Sequence, residues 1–80
     1  MPYVSKVVRD YLDSGGEPVV AGELNYCLTK LVCNFVRSHG GRYEVINSAI
    51  GALECAKLEL YRRIASPYED TKIQENGDVY

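Results

Sequence analysis

The sequence has no tryptophan, one histidine and one phenylalanine. It also lacks any apolar run of about 18 residues, the length a membrane-crossing helix requires, so no membrane partner is expected. Neither sign of charge dominates: nine Lys and Arg stand against eleven Asp and Glu, a net charge of −2. Proteins that bind duplex DNA usually carry a basic stripe. The only basic cluster here is Arg62-Arg63, so duplex DNA is not an expected partner. The glycine-rich phosphate loops G-x-x-x-x-G-K-[ST] and G-x-G-x-x-G are missing. Cysteine is odd in number. Cys27, Cys33 and Cys55 form no C-x-x-C pair, which argues against a disulfide framework and against a structural zinc site. All three fall on apolar helical faces and are expected as buried, reduced thiols. Met1 to Lys6 has no apolar export segment, so the expected location is the cytoplasm, that of a host cell if the chain is viral.

Eighty residues make one small domain, 1–80. A chain this short buries only about 60–65% of the surface its unfolded form exposes, and its stability is marginal without help. Disulfides and metals are set aside by the cysteine pattern. A partner subunit is left, so a homo-oligomer is expected.

Three helical patterns follow one another. Val4, Val7, Val8, Tyr11 and Leu12 have helical spacing over about 4–12, with Ser5 as a cap. Asp13-Ser14-Gly15-Gly16-Glu17-Pro18 is a loop by its turn chemistry, and Val19-Val20-Ala21 is briefly extended. Over about 23–38, Leu24, Leu28, Leu31 and Phe35 form a stripe widened by Cys27 and Val32. Glu23 at its start and Arg37 at its end suit the helix dipole, and His39-Gly40-Gly41 stops it. Over about 43–65, Ile46, Ile50, Leu53, Leu60 and Ile64 form a third stripe. Gly51 inside this helix costs about 1 kcal/mol relative to alanine, so it is expected to mark a close helix crossing. The short connection from His39 to Arg42 makes the second and third helices an antiparallel hairpin.

After Ser66-Pro67 the expectation changes to an irregular but ordered tail over 66–80. Proline cannot continue a helix without cost. Tyr68, Ile73, Val79 and Tyr80 are too apolar for a solvated terminus. Arg62 and Arg63 are placed to meet Glu69, Asp70 or Asp78, and Glu59 is their partner within the helix at i,i+3 and i,i+4. Asn76-Gly77 supplies a turn.

The chain is poor in residues for catalysis. His39 sits at a helix end, where the dipole accounts for it, and Cys33 faces away from it. Paired acids of the Glu-x-x-Glu type would hold magnesium in a helical pyrophosphatase, but lysine stands at 57 where Glu54 would need its partner. No catalytic residue, metal or cofactor is therefore assigned. The binding candidates are polar and aromatic. Asn47 and Glu54, seven apart, share a face with Ile50 and Tyr61 near the interior side. An unpaired polar group there costs about 1–3 kcal/mol. The seven tyrosines pair a stacking face with a polar tip. Tyr43, Tyr61, Tyr68 and Tyr80 with Arg62 and Arg63 suit a planar anionic ligand such as a nucleotide.

Gly22-Glu23-Leu24-Asn25-Tyr26, the run Gly51 to Arg63, Pro67-Tyr68-Glu69-Asp70 and Lys72-Ile73 through Glu75-Asn76-Gly77-Asp78-Val79-Tyr80 together resemble a family of short uncharacterised proteins from phages, prophages and some bacteria and archaea. The resemblance spans about residues 22–80 and carries over no catalytic residue. It implies a viral or mobile-element context, where small non-enzymatic binders are common. By analogy of size and context alone, some helical phage proteins oligomerise and sequester cyclic-nucleotide signals of host defence.

The expectation is thus an all-α, homo-oligomeric, non-enzymatic binding protein that counters host defence by sequestering a nucleotide-like signal. Its ligand-binding candidates are Asn47, Glu54, Tyr61, Arg62, Arg63, Tyr68 and Tyr80. The alternatives are an interaction module for a host or viral protein and a small nucleotide-processing enzyme.

Overall fold

In a computed structural model of the chain, residues 4–80 are described. Met1 to Tyr3, part of the segment read above for an export signal, lie outside them. The described residues are all-α, with no strand among them. The elements are α1 (Lys6–Asp13), α2 (Ala21–Ser38), α3 (Tyr43–Leu60), one π-helical turn (Tyr61–Ala65) and α4 (Ser66–Asn76). Two helices of eighteen residues joined by four residues give the element order expected of a hairpin. The chain divides into two compact units, Met1–Ile46 and Asn47–Tyr80.

In the first unit, Ser5 caps α1 by accepting from the Val8 amide at 3.4 Å. Val20 is extended, as expected, but α2 begins two residues earlier than expected, with Ala21 and Gly22 already helical. Glu23 reaches back from the first turn of α2 to accept from the Val19 amide at 2.9 Å. Helices α1 and α2 end in the same way. The Gly16 amide donates to the Tyr11 carbonyl at 2.9 Å and Gly15 to Leu12 at 3.1 Å. Likewise Gly41 donates to Val36 at 2.9 Å and Gly40 to Arg37 at 3.3 Å. Each is a Schellman motif, which needs a left-handed residue after the helix. Gly15 (φ 103°) and Gly40 (φ 95°) supply it. Helix α1 lies against α2, with Leu12 and Tyr26 buried between them.

The second unit corrects the reading of the C-terminal segment. Residues 66–76 are not irregular; they form α4, and the chain runs helically from Tyr43 to Asn76 with a bend. Proline at this position has no amide to donate, and its ring crowds the carbonyl four residues back. The helix absorbs this by winding one extra residue into the preceding turn. The Ser66 amide donates five residues back to the Tyr61 carbonyl, so the clash is relieved without leaving the helix. Pro67 then occupies the first turn of α4, with no amide to donate back into the π turn. The helix stops at Gly77, whose backbone (φ 83°, ψ 153°) lies in a region essentially reserved for glycine. Only Gly77 to Tyr80 are irregular.

Candidate functional site

The polar side chains of the second unit are organised around the π turn. Leu60 leads into Tyr61, Arg62 and Arg63, which the helix fans out within one turn. Arg62 Nη2 donates to Glu59 Oε2 and Arg63 Nε to Glu59 Oε1, both at 2.6 Å. Hydrogen bonds from Arg62, and then from Arg63, hold the Glu59 carboxyl below its ordinary range. The expected pairing of these arginines with Glu69, Asp70 or Asp78 is therefore replaced by the local i,i+3 and i,i+4 pairing with Glu59. Continuation of the helix through Pro67 carries the tail acids onward instead of folding them back.

Glu69 has a different partner. Tyr61 Oη donates to both its carboxylate oxygens, at 2.8 and 3.0 Å. The hydrogen bond to Glu69, followed by that carboxylate's charge, raises the Tyr61 pKa. The two residues are eight apart. In a regular α-helix seven residues return to the same face; the extra residue of the π turn makes eight the matching interval. Pro67 is the available signal for this re-phasing, although in sequence a proline signals a break equally well.

A shallow groove of about 450 Å³ runs along this face. Tyr61, Glu69, Lys72 and Ile73 line it along the helix, and Asn76 to Tyr80 close its end. Lys72 lies 5.5 Å from the centre of the Tyr68 ring and pairs with Glu75 at 3.1 Å. Tyr80 is turned by a bond from its own amide to Asp78 Oδ1 at 2.9 Å. A second depression, of about 560 Å³, is lined by Cys55, Leu58, Glu59, Tyr61, Arg62 and Ser66.

Of the sequence candidates, the structure brings Tyr61 and Tyr80 to one groove with Tyr68 beside it through Lys72. Arg62 borders the second depression, and Arg63 is held on Glu59. Asn47 and Glu54 do not sit at an interior position: both are exposed, and Glu54 pairs with Lys57 at 3.2 Å. Seven-residue spacing places them on one face but does not say what covers that face. Within the second unit nothing packs against Gly51: a Cβ built there meets no atom within 4 Å. Cys27 and Cys33 are half-buried and free; Cys55 is free but exposed, against the expectation of burial.

In the first unit, sequence reasoning missed a contact between α1 and α2. Tyr26 Oη donates to Asp13 at 2.9 and 3.1 Å. Desolvation, then the bond to Asp13, raises the Tyr26 pKa. Beside the pair lies a depression of about 390 Å³ shared with Leu12, Cys27, Lys30 and Asn34. His39 stacks on Phe35 with ring centres 4.3 Å apart, and its Nδ1 is 2.8 Å from the Phe35 carbonyl. It thus caps the end of its own helix. Among the described residues no group of three His, Cys, Asp or Glu is arranged to hold a metal. None of their helices is long and apolar enough to cross a membrane.

Over residues 1–79 the sequence matches the family described as Domain of unknown function (DUF6899). The chain belongs to that family. No curated protein and no solved structure matches this DUF6899 chain. Its groove and its arginine–glutamate clamp therefore have to be interpreted from their own chemistry.

Proposed function

We propose that the protein is a non-enzymatic, homo-oligomeric interaction module that binds a protein partner through the second unit. The observation that carries this is the amount of apolar side chain left uncovered there. Ile50, Leu53, Leu58, Leu60, Tyr61, Ile64, Tyr68, Ile73 and Val79 are all exposed, and only Ala49 is buried in that unit. Exposed apolar surface of this extent, bordered by charge, is the mark of a surface that docks on another macromolecule. A phage or mobile-element setting, as the resemblance implies, makes a host or viral protein the partner.

A second reading is the sequestering of a nucleotide-like signal, with Tyr61 and Tyr80 as stacking faces at one groove. Its weakness is charge. Both arginines are paired to Glu59, Lys72 is paired to Glu75, and the groove itself carries Glu69 and Asp78. An anion entering it meets carboxylates.

Thermal melting against a nucleotide panel separates the two readings. A ligand at a hundredfold excess over its Kd stabilises by about 2.7 kcal/mol, whereas an interaction module shows no shift. Co-purification from infected cells, followed by mass spectrometry, then compares the intact chain with Ile73→Asp. A protein recovered with the intact chain and lost with the variant supports the proposal. A nucleotide-dependent shift, or recovery unaffected by the variant, contradicts it.

A further inference from the structure

On α3, Ile50, Leu53, Lys57 and Leu60 follow one another at intervals of three and four, so they share one face. The three apolar members are 41 to 60% exposed. Ile46 and Ile64 extend the line in both directions. This is the spacing that the seam of a two-stranded helix pair uses, interrupted once by a charge. Lys57 stands within the seam, and Glu54, at its edge, lies 3.2 Å from it in the same chain. Glu54 and Lys57 side chains are 55 and 69% exposed.

The charge decides what fits. A parallel second copy would stack Lys57 on Lys57 of the partner subunit, two like charges in an apolar seam. An antiparallel copy, centred level with Cys55, puts Ile50 against the partner's Leu60 and Leu53 against the partner's Lys57. Lys57 then falls beside the partner's Glu54, and the reciprocal pair forms across the two-fold axis. A single polar residue in such a seam fixes register and orientation. Covering this face on both copies removes on the order of 1,000 Å² in total, the lower bound for a specific interface.

We propose that α3 pairs with α3 of a second copy of the chain, antiparallel, with Glu54 and Lys57 exchanging partners across the axis. The pairing rests on the homo-oligomer in the functional reading above but leaves the α4 groove free for another protein.

Light scattering at micromolar concentration should give twice 8.9 kDa. Lys57→Glu and Glu54→Lys, each alone, set like charges opposite one another and should raise the dimer dissociation constant by on the order of tenfold or more. Both sites are exposed, so circular dichroism should show the helices intact. Mixing the two variants restores both pairs across the axis, and a heterodimer should reappear. Leu53→Cys tests direction. An antiparallel pair keeps the two copies of residue 53 apart, whereas Ile50→Cys mixed with Leu60→Cys should form a disulfide. A wild-type monomer, a mixture that fails to pair, or ready self-linking through Leu53→Cys each overturns the proposal. A monomer that still captures a protein partner removes this pairing and the homo-oligomer but spares the protein-binding reading. A dimer that captures nothing does the reverse.

Discussion

In the first unit, Leu12 and Tyr26 are buried, and Tyr26 reaches from α2 to Asp13 at the end of α1. In the second, the described polar side-chain contacts run along one helix and span at most eight residues. Salt bridges of the second kind are exposed and individually weak, and most helical stability in proteins comes from packing of an apolar face. The difference assigns separate tasks. The first unit contains a tertiary contact that needs no other molecule. On the function proposed above, the second is a helical surface whose order draws on whatever covers its exposed apolar side.

The largest effect is expected where that tertiary contact is densest. Leu12→Ala should lower the unfolding free energy by about 2–4 kcal/mol, read as a shift of the denaturant midpoint. No single truncation at an exposed apolar position of the second unit should match it in a dilute monomeric sample.

Glycine to alanine should have opposite signs in the two regions. Gly40→Ala forces a side chain into a left-handed cap and should cost about 1 kcal/mol. Gly51 is helical with open space around it, so Gly51→Ala should stabilise by about 0.5–1 kcal/mol. Thermal melting of both variants beside the intact chain measures the pair. A loss at Gly51 would show that something packs there after all.

Alkaline titration sharpens the contrast further. Folding raises the Tyr26 pKa above its ordinary value of 10.0. The stabilisation is therefore complete below about pH 10 and is lost as pH rises through the higher folded value. Tyr61 is shifted the same way by Glu69. Tyr26→Phe should flatten the alkaline loss of global stability. Tyr61→Phe should alter only local exchange near the π turn. The smallest effect is expected at Glu59, whose pKa is lowered by Arg62 and Arg63. Its stabilisation is complete above the ordinary carboxylate range and fades as pH falls through the lower folded value. Glu59→Gln should remove that acid dependence, measured by exchange at residues 59–66, and leave global melting nearly unchanged.

Much of the fold was legible because periodicity and glycine chemistry are local. The stripes at Leu24–Phe35 and Ile46–Ile64 marked α2 and α3, Ser5 marked the start of α1, and Gly40-Gly41 marked the end of α2. Pro67 misled because proline states only that an amide is missing. Whether the chain stops or inserts an extra residue depends on the flanking helix. The candidate site was half legible. Tyr61 and Tyr80 stand out by their chemistry and do meet at one groove, but Glu69 and Lys72 depend on a helical phase that the sequence does not display. Asn47 and Glu54 differ in another way: seven-residue spacing places them on one face of α3, but spacing alone does not say whether that face is covered, and both are exposed.

The most direct test of the account is hydrogen exchange followed along the chain over a dilution series. Amides of residues 6–13, held by Leu12 and by the Asp13–Tyr26 contact, should keep the same protection at every concentration. Amides of residues 47–64 should gain protection as concentration rises into the range where copies associate. Equal, concentration-independent protection of both segments would contradict the claim that the second unit takes its order from a partner.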